Sequence, residues 1–333
     1  MTQQYLRQIK LIAYSKDTAQ PALDLSEMHI KYLVKQNDVQ SPNNAVIRVY
    51  NLAQQTVNTL VSRNAESKTA EFSRILLQAG YVGGNFGTIF NGDIKQFMKG
   101  RENATDTYLD FLAADGDLPY NFAVVNTTLA EGATPQDVVN ACLTAMQQSA
   151  TAAGVTPITL GYVGGLDGQP ALPRGKVLYG MARDILRDVC HTTNTSWSIQ
   201  NGQLQIMPLE SYVPGTAVVL TQETGLIGQP SQTIDGIIVK ALLNPQFAVG
   251  GRVQINNALI NQNLNAAGGD LIDPFTSFKA LPQKIARVAD DGFYRILVAE
   301  HSGDTRGVPW YTDLVCIALD DTVPVSQAAK GRV

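Results

Sequence analysis

The sequence predicts an α+β chain dominated by strand, organised as two barrel-like antiparallel β domains with a few flanking helices. Three observations predict it. Short segments of alternating polarity fill the first third, divided by Gly, Asn and Pro turns. Apolar residues then recur at helical spacing in two places. A second run of short strands follows, opened by an Asn-Gly hairpin. Many short strands with turn chemistry between them favour closed or nearly closed sheets.

The first strand runs through Met28-His29-Ile30-Lys31-Tyr32-Leu33-Val34-Lys35, where Met28, Ile30, Tyr32 and Val34 share one face and His29, Lys31 and Lys35 the other. Ala45 to Tyr50 follows the turn-rich Ser41-Pro42-Asn43-Asn44 and leads into Asn51, an N-cap for a short helix carrying Ala53, Val57, Leu60 and Val61, placed to plug a barrel end. Further strands fall at Glu71 to Leu77, Gly87 to Phe90, Ile94 to Lys99 and Thr105 to Ala113. Asp115-Gly116-Asp117 ends the run. Residues 1–117 form the first domain.

Residues 118–176 read as a helical and connector segment. Thr134-Pro135-Gln136-Asp137 supplies an N-cap, a first-turn proline and an acidic third position, ahead of an apolar stripe of Val138, Val139, Cys142, Leu143 and Met146. The stretch from Ala150 to Arg174 is rich in Gly, Pro and small residues and reads as a connector with little core of its own.

A second domain spans 177–320. It opens on a helix in which Leu178, Met181, Ala182, Ile185, Leu186 and Val189 form the apolar face. Asn201-Gly202 then favours a two-residue type I′ turn, setting Ile199 opposite Leu204 and Trp197 opposite Ile206. Strands follow at Ala217 to Thr221, Ile237 to Leu243, Arg252 to Asn256, Phe293 to Glu300 and Leu314 to Leu319. Asn257 to Lys284 lacks periodicity and is a candidate interaction loop or a mobile one. Residues 321–333 read as a tail ordered only by a partner.

Composition narrows the function classes. Charged residues are 16% of 333, against roughly 25% in typical soluble domains, while the hydrophobic share is 44%. Neutral polar faces cost less to desolvate than dense charge and suit large shared interfaces; an uncharged monomer surface is the other reading. A net charge of −4 provides no excess of cations to neutralise phosphates, so specific nucleic-acid binding is not expected. Cys142, Cys190 and Cys316 are too scattered for a disulfide framework or a Cys-x-x-Cys metal site, which fits reduced, cytosolic folding. No signal-peptide pattern opens the chain, and no run of 18 apolar residues predicts a membrane span.

The chain contains no Gly-x-Ser-x-Gly elbow, phosphate loop or His-Glu-x-x-His, and no cofactor is expected. His29 falls on the charged strand face, and His191 at a helix C-terminus. The one polar cluster to weigh is His301-Ser302-Gly303-Asp304-Thr305-Arg306, with Trp310 and Asp313 beyond it. It reads either as a strand-joining turn, with Arg306 pairing Asp304 or a neighbouring subunit, or as an acid–base set of His301, Asp304 and Asp313 in a cell-wall-degrading hydrolase. Asp115-Gly116-Asp117 and Asp290-Asp291-Gly292 lack calcium-loop spacing and read as turns. A two-barrel carbohydrate-binding adhesin would want exposed aromatic platforms, yet Trp197 and Trp310 both fall on strands or their ends.

In order and local wording these segments resemble the baseplate hub family of contractile-tailed bacteriophages, related to the hub of T4-like tails and to the N-terminal hub domains of type VI secretion spikes. Ile94-Lys95-Gln96-Phe97, Gly100-Arg101-Glu102 and Thr105-Asp106-Thr107 look like the end of a first hub barrel. Gly180, the Trp197 to Ile206 hairpin, Leu242-Leu243-Asn244-Pro245 and Gly250-Gly251-Arg252-Val253 look like the second, closed by His301 to Gly307 and Trp310. The resemblance implies a virion structural protein of the tail baseplate, assembled in the host cytoplasm and without enzymatic activity. It implies a homotrimer forming a pseudo-six-fold ring between tail tube and spike. The implied partners are the spike, a tube or tube-initiator protein and the tape measure protein, with DNA passing through unbound. Asn244, Pro245, His301, Asp304, Arg306 and Trp310 are then the candidate interface or structural residues.

Overall fold

The computed structural model describes residues 4–15, 22–61, 72–233, 235–261, 288–289 and 291–318. The first lobe comprises β1 (Arg7–Ser15), β2 (Leu23–Asp24), β3 (Ile30–Asn37), β4 (Asn44–Tyr50), α1 (Gln54–Val61), β5 (Phe72–Tyr81), β6 (Phe86–Arg101) and β7 (Thr107–Ala114). Its strands pair antiparallel in the order β3-β4-β7-β6-β5-β1-β2. Alternation decides which side goes in: Ile30, Tyr32 and Val34 from β3 and Ala45, Ile47 and Val49 from β4 join Leu11, Leu77 and Phe111 in one core. Helix α1 adds Val57 and Leu60 to that core, the apolar side its spacing predicts.

A middle unit follows: α2 (Asp117–Phe122), β8 (Val124–Leu129), α3 (Pro135–Ala152), β9 (Thr159–Val163), β10 (Lys176–Met181), α4 (Ala182–Thr192), β11 (Thr195–Gln200) and β12 (Gln203–Pro208). Thr134 and Asp137 close a reciprocal capping box on α3. Helix α4 begins four residues later than its apolar spacing suggests. Lys176–Met181 is strand, paired along its length with β8; Gly180 sits at φ 144°, outside the helical region. The hairpin of β11 and β12 takes the expected register, Trp197 opposite Ile206 and Ile199 opposite Leu204, with Asn201 and Gly202 both at positive φ as a type I′ turn requires. The Gly- and Pro-rich connector is not coreless. Its β9 pairs parallel to β12, and Ile158 and Leu166 are buried with Trp197, Leu186 and Val139 in a second core. Helix α4 and the hairpin, which the sequence groups with the last lobe, pack into this middle core.

The last lobe holds β13 (Val218–Leu220), β14 (Leu226–Gln232), β15 (Ile237–Leu242), β16 (Arg252–Ile255), β17 (Phe293–Asp304) and β18 (Trp310–Ala318) around a third core of Leu220, Val239, Phe247, Val253, Tyr294 and Leu314. The long strand β17 pairs with β16 through Phe293–Arg295 and with β18 through most of its length. From Val298 to Asp304 its other edge pairs with β3. The two lobes therefore share one 13-stranded sheet, and among the described residues neither half closes into a barrel of its own by strand pairing. The open end of lobe one is bridged by a side chain instead. Arg7 on β1 donates to the carbonyl oxygens of Asp304 (3.1 Å), Gly307 (2.6 Å) and Val308 (2.8 Å) beyond β17. Residues 262–287, most of the candidate interaction loop, and 319–333, which include the predicted tail, lie outside the described residues.

Candidate interlobe junction

The polar cluster picked out by sequence sits where the lobes meet. Asp304 ends β17, and its carboxylate accepts the backbone N–H groups of Arg306 (2.9 Å) and Gly307 (2.8 Å), the expected turn role. Its remaining partners come from lobe one: His29 Nε2 at 2.8 Å and Lys31 Nζ at 3.9 Å. Burial pushes the Asp304 pKa up, but the Arg306 N–H, His29 and the Gly307 N–H outweigh it, so the carboxyl stays below its ordinary value. The Arg306 side chain is exposed and forms none of the ion pairs of Asp304 among the described residues; its backbone holds the turn.

His301 points the other way. It is 1% exposed, its Nδ1 lies 2.9 Å from the Thr312 hydroxyl, and burial lowers its pKa to about 4. It is neutral near pH 7. Asp313 lies on the opposite face of the sheet, 3.6 Å from Lys240 and in register with Glu300, four residues before Asp304. That offset is roughly 13 Å along the strand. His301, Asp304 and Asp313 thus do not converge on a common point.

Trp310 is buried in the core of lobe one although it belongs to β18 of the last lobe. Its ring meets Tyr32 edge-on at 5.6 Å, and Arg7 stands 5.3 Å above it. Gly303 gives the Tyr32 ring its room, since a Cβ there would overlap it. The segment after β15 closes beside it: the Leu243 N–H donates to the Trp310 carbonyl (3.1 Å), Asn244 Oδ1 holds the turn by accepting the Gln246 N–H (3.0 Å), and Pro245 approaches lobe one, where a Cβ at Gly87 of β6 would stand 3.3 Å from it. Over the junction lies a cleft of about 180 Å³, lined by Arg7, Met28, Thr305, Arg306 and Trp310, below the roughly 300–1,000 Å³ of small-molecule sites.

Two joints escape a reading of sequence alone. Arg295 on β17 is 2% exposed; it forms an ion pair with Asp38, which follows β3, and donates to the carbonyl oxygens of Pro208 (3.3 Å) at the end of β12 and of Leu209 (3.0 Å) and Ser211 (2.9 Å) beyond it. One guanidinium therefore ties both lobes to the middle unit. The other joint is Asp115, whose buried carboxylate accepts the Gly202 N–H at 2.8 Å from the hairpin turn. Asn43 Nδ2 donates beside it to the Ile199 carbonyl (3.0 Å) and Gln200 Oε1 (2.7 Å). No local signal marks Arg295: alternation with the core residues Tyr294 and Ile296 assigns it to the outer strand face, and the segment at the end of β12 buries it there.

Burial raises the Asp115 pKa to about 7, opposed by the Gly202 and Asn201 N–H groups and reinforced by Asp93. Unfolded, the group loses its proton near 3.8. Between those values the folded chain holds the extra proton, so this contribution is complete below pH 3.8 and is lost as pH rises through about 7. The expected result is a wild-type unfolding free energy that declines between about pH 4 and 7, and a visibly flatter profile for Asp115→Asn. Urea denaturation across that range checks it; parallel profiles would refute the assignment.

No protein-family model matches the chain, and no curated protein matches it in sequence. Solved structures do. The 43 kDa tail protein of prophage MuSo2 from Shewanella oneidensis superposes with a TM-score of 0.54 at 7% identity, covering 96% of this chain and 99% of its own. A tail protein from Neisseria meningitidis MC58 gives 0.52 at 8% identity, with 94% and 96% covered. The chain has the fold of these phage tail proteins. The Escherichia coli c3393 protein, a component of the type VI secretion system with structural similarity to the T4 bacteriophage tail proteins gp27 and gp5, shares it with a TM-score of 0.53 at 10% identity, over 94% of this chain and 79% of that one. Within this phage-tail fold, the β17–β18 turn lies at the seam between two lobes of one sheet, where Asp304 and Trp310 reach lobe one and Pro245 stands beside Gly87. As the sequence leads one to expect, no helix among the described residues is long and apolar enough to cross a membrane.

Proposed function

We propose that this chain is the structural hub of a contractile phage-type tail baseplate: a trimer whose two lobes per subunit make a pseudo-six-fold ring adapting the tail tube to the central spike. The observation that carries the reading is the end-to-end match to the MuSo2 tail protein, 96% of one chain against 99% of the other. Two strand-rich lobes joined through one sheet are suited to occupy two successive positions in a ring of near-equivalent lobes. In this reading the spike and a tube or tube-initiator protein bind opposite faces, the tape measure protein ends within the ring, DNA passes without specific contacts, and the protein is incorporated into the virion after assembly in the host cytoplasm. The hub has no catalytic role. The separation of His301, Asp304 and Asp313 supports that part of the reading.

The test is the mass of the purified chain in solution, alone and with its spike and tube proteins. Three copies alone or on spike addition, and a six-fold-like ring by electron microscopy, are expected. A chain that stays monomeric with both partners present, or that clears cell-wall substrate in a zymogram, overturns the proposal.

A further inference from the structure

Strands β8 and β10 pair as a two-stranded ribbon with no third strand beside them among the described residues. Such ribbons are rarely stable alone. This one is held by its inner face, where Val125 and Leu178 are buried in the middle core. Helix α3 packs against β8, so β10 is the more open strand of the two.

The hydrogen-bond pattern fixes which way the backbone of β10 points. The Ala182 N–H donates to the Ala123 carbonyl (2.9 Å), one step beyond the pair of Met181 and Val124. Antiparallel pairs alternate between bonded and unbonded. Gly180 with Val125 and Leu178 with Thr127 are therefore bonded pairs, while Val177 and Tyr179 turn their N–H and C=O groups to the free side. No other backbone takes those groups up among the described residues.

The side chains at the same two positions are uncovered as well: Val177 is 71% exposed and Tyr179 77%. Natural sheet edges are commonly shielded by proline, by a bulge or by charge. From Val177 to Met181 β10 has neither proline nor charge, and its register with β8 is unbroken. Beside Gly180 there is room too, since a Cβ there would meet nothing within 4 Å. A flat apolar partner would answer the side chains alone. What β10 offers is a row of unpaired backbone donors and acceptors next to alternating apolar side chains, and the chemistry that satisfies both at once is another extended strand.

We propose that β10 receives an extended segment of a partner polypeptide, apolar at alternate positions, as a third strand of the ribbon. The segment bonds to the backbones of Val177 and Tyr179, lays apolar side chains beside theirs on the outer face, and has space for a large side chain next to Gly180. The contact goes beyond the ring assembly proposed above and does not depend on it.

Full-length protein is titrated with a fluorescein-labelled peptide of the sequence Thr-Val-Thr-Tyr-Thr-Val-Thr, read by anisotropy and by amide hydrogen exchange. Saturable binding is expected, with slowed exchange of the Val177 and Tyr179 amides. Val177→Pro should weaken binding by about tenfold or more, because proline removes an outward donor and leaves the bonds to β8 in place. Tyr179→Thr keeps the backbone row and should weaken it less. Melting curves check the fold of both variants, and the exchange measurement on the wild type decides the matter even where the proline variant does not fold. No saturable binding, or binding that leaves the two amides exchanging freely, overturns the proposal. So does loss of binding in Tyr179→Thr with full retention in Val177→Pro, which makes the patch a flat apolar contact. Sedimentation without peptide covers the remaining occupant: self-association of the wild type that Val177→Pro removes puts a second copy on β10 and overturns the assignment to a partner.

Discussion

Arg295→Met is expected to lower the unfolding free energy by about 3–5 kcal/mol, the range for breaking a buried ion pair from one side. The substitution strands the Asp38 carboxylate in the interior and leaves the carbonyl oxygens of Pro208, Leu209 and Ser211 without their shared donor. Burial already pushes the Asp38 pKa up even with Arg295 beside it, so without the guanidinium this site takes up a proton rather than keep a bare charge. Adding Asp38→Asn should therefore recover part of the loss. Urea denaturation followed by tryptophan fluorescence measures it well, because the two tryptophans report different cores, Trp197 the middle one and Trp310 that of lobe one. A loss below about 1 kcal/mol, the scale of an exposed pair, would mean that the pair is solvated.

Trp310→Ala should cost a similar amount, about 3–5 kcal/mol for removing a large buried aromatic. Here the loss falls on the seam. The ring fills the lobe-one core from a strand of the last lobe, so its removal leaves a cavity beside Tyr32 and takes away the surface under Arg7. Trp310→Phe should recover roughly half of the loss by refilling most of the volume. Denaturation midpoints of the three chains rank them; equal stability of wild type and Trp310→Ala would show that the ring is not packed as described.

The sequence made the strands of lobe one legible because a half-buried sheet writes a period of two, as in Ile30, Tyr32 and Val34. The β11–β12 hairpin was legible because Asn-Gly tolerates the positive φ that few residues accept. The start of α4 was misplaced for a physical reason: Leu178 and Met181 suit a helical stripe as well as a strand, and pairing with β8 decides between them. The assembly of the junction was not legible at all. Its key contacts join residues such as Arg295 and Asp38, 257 positions apart, and local patterns carry no information at that distance. For the same reason Asp115 read as an ordinary turn residue until the hairpin turn was seen resting on it.

Sharing β17 between the lobes has a bearing on how the chain is made. Strand β3 leaves the ribosome long before its hydrogen-bonding partner, Val298 to Asp304, is translated. Until then a nascent chain keeps the outer edge of β3 unpaired and the Trp310 position in the lobe-one core empty, a state open to misassembly and a natural client for chaperones. Folding of the two lobes should therefore be slow and cooperative, completed when β17 settles between β3 and β18.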